Sequence, residues 1–536
     1  MIRQQGIGSH SICTWFLVIG CALLGRGAKA ADQETLWIQK SVGEALEQAK
    51  RENKPALLYW GAIWCPPCNQ LKAQVFSHPE FAAATSSFVR IYLDGDSAGA
   101  QEWSEKLGVS GYPTLLILAP EKSGRAGKTT AKTTAKTTEK MVERLRIAEF
   151  VSFNEFRSLL TSVLADTMPI KNEIVAKAIR GEASLEEWKM LAFTWEAAES
   201  MSDADDAQVK KTLSQLEKLF AACRYPEVRG LLGARLLNLA TGMQPAWLDA
   251  VMADPSSLYA ARGPYFAGAL QWLEKTPAIT AQVTATKLRD AAKNLRGDSR
   301  LSPAETLQGW ATQMDIENYM AQRKWIATAL INETRSGAIE AAIRIEASSK
   351  APYERHAVVS DAAGILASAG KVNLAKDMLR REAEVSDTPW YYQSSLAGIA
   401  LEEEKLKDAL EWSAKARNSA QGQATKLQWL VSDIVMQSKV LAKGLDDQNE
   451  TGGAQIISVA TAASSVEAWL ELAKSLPDGF SGRNALRARK VKAALAAWPE
   501  TTIKRETLSK WANACMMIKG NAAKNCRKIM NESSEQ

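Results

Sequence analysis

Hydrophobic positions along this 536-residue chain change their spacing at about Asp166. Before that point, short apolar runs alternate with amphipathic stretches. Pro55 to Trp60 reads as a buried strand, and the apolar Leu71, Val75 and Phe76 that follow recur at helical spacing. Ser41-x-x-Glu44 ahead of Ala45, Leu46 and Ala49 is a capping-box start to a helix that ends before Pro55. Phe88 to Asp94 predicts a second strand, Ala98 to Leu107 a helix, and Leu115 to Leu118 a third strand. Val142 to Val151 is an imperfect fourth, and Ser152-x-x-Glu155 opens a helix carrying Phe156, Leu159, Leu160 and Val163. From about Met168 onward the pattern is helical almost throughout, and clear strand alternation is absent. The expected architecture is an α/β unit over residues 31–166 followed by an all-α region over residues 167–536.

The first thirty residues carry a different pattern. Arg3 precedes an apolar stretch from Ile12 to Leu24, and Ala28-Lys29-Ala30 offers a small-residue cleavage site before Ala31, as in a secretory signal. Thirteen apolar residues are too few to span a bilayer, which needs about 20. Val18-Ile19-Gly20-Cys21 also fits a lipoprotein signal, so lipid anchoring through Cys21 stands as the alternative to a cleaved, exported, periplasmic protein. Without residues 1–30 the net charge of +6 falls to +3, because Arg3, Arg26 and Lys29 leave with no acid. A value so near neutral gives no support for nucleic-acid binding.

The candidate chemistry lies in Trp64-Cys65-Pro66-Pro67-Cys68. Two thiols one helical turn apart stand where a strand hands over to a helix, where unpaired backbone N–H groups and the helix dipole favour a thiolate. A thiolate is the nucleophile of disulfide exchange, and such positions lower a cysteine pKa from about 8.5 to roughly 3.5–7.5. Cys68 can then resolve a mixed disulfide formed at Cys65. Half of a zinc site has the same spacing, so the pair alone leaves both readings open.

Gly111-Tyr112-Pro113-Thr114 before the third strand separates them. With that motif the chain resembles the thioredoxin superfamily: W-C-x-x-C after a strand, a helix, a strand ending in acidic residues, a helix, and G-x-P-T ahead of the next strand. Val75-Phe76-Ser77-His78-Pro79 is similar to a stretch of thioredoxin-like domains that work outside the cytoplasm, including the soluble C-terminal domain of DsbD-type transmembrane disulfide reductases. The resemblance implies a cis peptide before Pro113 and a substrate ledge formed by Trp64, Tyr112 and Pro113. It implies protein disulfides or dithiols as substrates, a reductase rather than an oxidase, a membrane electron donor, and no cofactor. One departure concerns the proton of Cys68, since the family's buried acid six residues before the first cysteine is here Tyr59, and a phenol is a poor base at neutral pH.

Three further cysteines follow. Cys515 and Cys526 flank Lys519-Gly520-Asn521, which reads as a turn between two helices, and in an oxidising compartment they are expected to form a structural disulfide. Cys223 reads as a small buried hydrophobe. His78 and His356 have no ligand spacing, so neither a metal site nor a catalytic His–Cys pairing is expected. The basic low-complexity stretch at 123–140 reads as an extended hairpin loop inside the first domain. In the helical region, Ala363-Gly364-Ile365, Lys371 and Ala375 recur as Ala397-Gly398-Ile399, Lys405 and Ala409, an offset of 34 residues. That match resembles tetratricopeptide repeats over about residues 351–419, whose stacked helices bind protein partners. The tryptophans of this region read as inter-helix packing. Specificity is then expected to rest on residues far from the sulfurs, and the alternative function is a helical-repeat scaffold whose first domain mainly binds.

Overall fold

A computed structural model describes residues 37–38, 41–109, 111–120, 141–165, 171–194, 206–451, 457–476 and 479–532. The leader, Cys21 and the low-complexity segment 123–140 lie outside them. The apolar run after Pro55 forms β1 (Ala56–Gly61), buried along its whole length because both faces of the sheet are covered. It pairs in parallel with β2 (Val89–Asp94) and antiparallel with β3 (Thr114–Pro120), which in turn pairs antiparallel with β4 (Met141–Ile147). The strand order is β2-β1-β3-β4.

Alternation along β1 divides the side chains between two layers. Ala56, Leu58 and Trp60 pack with Ala45, Leu46 and Ala49 of the helix Val42–Arg51. Leu57 and Tyr59 point the other way, into a core shared with Leu71, Val75 and Phe76 and with Phe156 and Leu159 of the helix Phe153–Leu164. Both helices begin with the expected capping box, Ser41 with Glu44 and Ser152 with Glu155. The segment after Cys65 is not one regular helix: Pro66–Leu71 is α-helical and Lys72–Phe76 widens into a π-helical turn.

The core on the Tyr59 side continues into the helical region, through Trp188, Leu219, Leu232 and Trp272 to Met320. Helices then follow one another in close-packed succession from Pro226–Leu239 to Gly520–Asn531. Two further apolar cores lie along them, one centred on Val358, Leu366 and Leu379 and one on Trp469, Val491 and Trp511. The 34-residue period has a structural counterpart, since the helix ends Ser368, Val372 and Val385 recur 34 positions later as Glu402, Leu406 and Ser419. Among the described residues no helix is long and apolar enough to cross a membrane.

Candidate active site

Cys65 is the N-cap of the helix that begins at Pro66, with extended backbone, and its Sγ accepts from the Cys68 N–H at 3.2 Å. Pro66 and Pro67 fill the first two helical positions, where a missing N–H costs nothing. The Asn69 amide donates to the carbonyls of Ile63 and Cys65 at 2.8 and 3.0 Å and so holds the turn from inside. Cys65 and Cys68 are disulfide-bonded, with Cα atoms 5.2 Å apart. The Tyr112–Pro113 peptide is cis. Tyr112 packs 6.3 Å from the Trp64 ring, and its hydroxyl donates to the Gly95 carbonyl at 3.2 Å. A Cβ at Gly95 would stand 2.2 Å from that hydroxyl, so a larger residue there would displace the Tyr112 ring. Trp64, Cys65, Cys68 and Tyr112 thus share one cluster. Pro113 adjoins it through Tyr112.

A redox-capable pair at a helix N-cap, beside a cis-proline that opens an internal strand, coincides with a family match: residues 37–120 fit the family described as thioredoxin-like. This part of the chain is a thioredoxin-like domain. It is 32% identical over 85 residues to the thiol:disulfide interchange protein DsbD 2 of Pseudomonas aeruginosa. That alignment covers 16% of this chain and spans only 14% of the relative. A solution structure of a thioredoxin from Thermus thermophilus also matches, at 23% identity over 23% of this chain and 83% of its own, with a TM-score of 0.19.

In the thioredoxin-like domain the position six before Cys65 belongs to the aromatic core. Tyr59 stacks on Tyr92 at 5.4 Å and meets Phe76 edge-on at 4.7 Å. Burial, with Tyr92 and Asp94 alongside, holds its phenol well above the ordinary value, so it stays protonated and takes no proton from Cys68. The acid on the same sheet face is Asp94, level with Gly61 across the β1–β2 pair, its carboxyl also raised by burial.

The largest departure from the sequence reading is what covers the sulfurs. Cys65 and Cys68 are each only 3% exposed. The covering residues are Trp390, Ala416, Ala420 and Trp429, with Tyr391 at the margin, all from the helical region. Trp390 and Trp429 do pack between helices, yet they also pack on the redox pair, so the expectation that the helical region acts far from the sulfurs is corrected. His356 is likewise at the site although no His–Cys pairing was expected: its Nε2 lies 2.7 Å from the carbonyl oxygen of Trp64, the residue directly before Cys65. A carbonyl only accepts, so Nε2 carries the proton, and Nδ1 faces the Tyr392 hydroxyl at 2.7 Å. Burial lowers the His356 pKa despite the opposing hydrogen bond to Trp64, and the imidazole is neutral near pH 7. Asp96 is the second residue missed. Its carboxylate accepts from the Trp64 indole at 3.3 Å and from the backbone N–H and hydroxyl of Thr425 at 2.8 and 2.6 Å. Neither contact has a local signature, because the partners lie 292 and 329 residues apart.

A charged contact joins the same two regions through other residues. Arg262, buried, is held between Glu155 at 2.8 Å and Glu305 at 2.6 Å. Burial alone would raise the Glu155 carboxyl, but the Arg262 guanidinium and the Ser152 hydrogen bonds together outweigh it and hold the carboxyl below its ordinary value. Arg235 pairs with Glu149 nearby in sequence to these groups. Cys515 and Cys526 are disulfide-bonded across the turn between Thr502–Met517 and Gly520–Asn531, and Cys223 is a buried free thiol raised by desolvation. Among the described residues no cluster of three or more His, Cys, Asp or Glu side chains could hold a metal.

Proposed function

We propose that the protein is an exported thiol–disulfide oxidoreductase that exchanges disulfides with other proteins through Cys65 and Cys68, in the reducing direction. The observation that carries this reading is a disulfide within one helical turn, at a helix N-cap, in a thioredoxin-like domain with a cis bond before Pro113. In the reduced state the Cys65 thiolate attacks one sulfur of a substrate disulfide. That S–S bond breaks, its electron pair leaves with the distal sulfur, and a mixed disulfide remains on Cys65. Cys68, losing its proton, attacks the Cys65 sulfur and expels the second substrate sulfur as a thiolate. The substrate gains two electrons and Cys65–Cys68 is oxidised. The similarity to an interchange protein of the DsbD type supports a membrane dithiol as the donor that resets the pair. Trp64, Tyr112 and Pro113 hold the substrate backbone. Export rests on the leader at residues 1–30, with acylation at Cys21 as its alternative. The period at 351–419 supports a tetratricopeptide-like array that carries partner contacts.

The test is a Cys68→Ser chain expressed in cells. It should accumulate mixed disulfides through Cys65 that reductant releases. Absence of adducts, together with no turnover of a model disulfide by the unmodified chain, would sink the reading.

A further inference from the structure

Exchange requires an incoming sulfur to approach a disulfide sulfur directly, so reactivity depends on access as well as on thiolate character. In this structure that access is closed. Trp390, Ala416, Ala420 and Trp429 share one apolar cluster with Cys65 and Cys68, and with each cysteine only 3% exposed a protein thiol has little room to reach either sulfur. We propose that the helices Pro389–Glu402 and Leu406–Ser419, with the start of Gln423–Thr451, form a closable cap that selects which thiols reach Cys65, and that Asp96 and His356 are its latch. The inference rests on Cys65–Cys68 being an exchanging pair.

The latch is built differently from the rest of the interface. The helix Gln423–Thr451 follows Gly422, which has no side chain with which to cap it, and Asp96 of the thioredoxin-like domain supplies the oxygen that its Thr425 N–H needs. Gly422 has φ +81°, and a Cβ there would fall 2.4 Å from the Asp96 carboxyl carbon, so the approach is possible only with glycine. His356 grips the Trp64 carbonyl directly before Cys65. Each of these groups can exchange its partner for water when the cap lifts. The buried Arg262 cannot do so cheaply, since separation from Glu155 would leave a charge uncompensated. Its helix, Arg262–Glu274, precedes the cap in the chain, so the charged contact stays as an anchor while the latch releases. Closure also carries a cost, since the indole N–H groups of Trp390 and Trp429 are buried with no acceptor. Trp469 and Trp511 share that condition inside the C-terminal core, whereas Trp390 and Trp429 lie at a boundary between two regions that can part.

The experiment compares reduction of Cys65–Cys68 in the full chain by dithiothreitol and by a reduced thioredoxin, in the unmodified protein and in Asp96→Ala and His356→Ala. The ratio of protein-dithiol to small-dithiol rate constants should rise at least tenfold in each variant. A ratio unchanged within twofold in both folded variants overturns the cap. A second measurement needs no substitution: Cys65 of the reduced chain is alkylated with iodoacetamide and with a maleimide bearing a bulky polymer, each rate divided by that in urea. The bulky reagent should be slowed at least tenfold more than the small one, and equal slowing overturns the proposal. If dithiothreitol leaves the pair oxidised in every chain, the exchange reading itself fails and the cap with it, an outcome distinct from an unchanged ratio.

Discussion

Cys65–Cys68 and Cys515–Cys526 are both withdrawn from water, the first pair 3% exposed at each residue and the second 1% and 0%, but different parts of the molecule cover them. Cys515 and Cys526 sit in a core built by neighbours in sequence, from Leu427 to Ile529. Cys65 and Cys68 are covered by residues more than 300 positions away, across an interface of hydrogen bonds. The bridges also constrain the chain differently. A sequence separation of 11 ties one helix to the next, whereas a separation of 3 closes a single turn that the helix already fixes. A buried disulfide that restrains little and is shielded by a separable surface is placed for chemistry. One that joins two helices inside their own core is placed for stability.

The sharpest way to break this contrast is substitution at each pair. Cys65→Ser should reduce turnover of a model disulfide to background, while Cys515→Ser with Cys526→Ser should leave that rate intact; loss of activity in the second chain would erase the distinction. Next in size is Arg262→Met, which leaves the buried Glu305 and the half-buried Glu155 without their cation and should lower unfolding stability in urea by about 3–5 kcal/mol. Removing Cys515–Cys526 should lower it by roughly 3 kcal/mol, the chain-entropy value for so short a loop. The smallest effect is that of pH. The lowered His356 pKa means that the unfolded chain takes up a proton before the folded one, so the stability held above the ordinary value of 6.5 is lost as pH falls through the folded value. Glu155, also lowered, acts with the same sign in a more acid window, below its ordinary value of 4.5. Urea titrations of the unmodified and His356→Ala chains should therefore diverge above pH 6.5 and converge below it.

What could be read in the sequence was local. Ser41 with Glu44, Ser152 with Glu155, the strand ahead of Trp64 and the Gly111 to Thr114 motif each work within a few residues, and each took the expected conformation. The expected Lys519-Gly520-Asn521 turn is shorter and earlier, a break at Ile518–Lys519 with Gly520 opening the next helix at φ +72°. The capping of the redox pair was not legible for the same reason. Asp96 serves a helix 329 residues away that has no cap of its own, and His356 meets a backbone carbonyl, which any residue could have offered. A tryptophan that packs between helices and one that also covers a disulfide have the same spacing, so Trp390 and Trp429 could not be told from Trp469 and Trp511. The π-helical turn at Lys72–Phe76 likewise adds a residue to a turn without any change in the apolar pattern.

The central claim is that one buried disulfide is a working redox couple and the other a fixture. Equilibrating the full chain in glutathione buffers of graded poise, trapping free thiols and locating them by peptide mass tests it directly. Cys65–Cys68 should be reduced reversibly at a poise within the range of thioredoxin-like exchangers, about −270 to −120 mV, while Cys515–Cys526 stays oxidised, as structural disulfides below about −300 mV do. Reduction of both pairs together, or of Cys515–Cys526 first, would contradict the account.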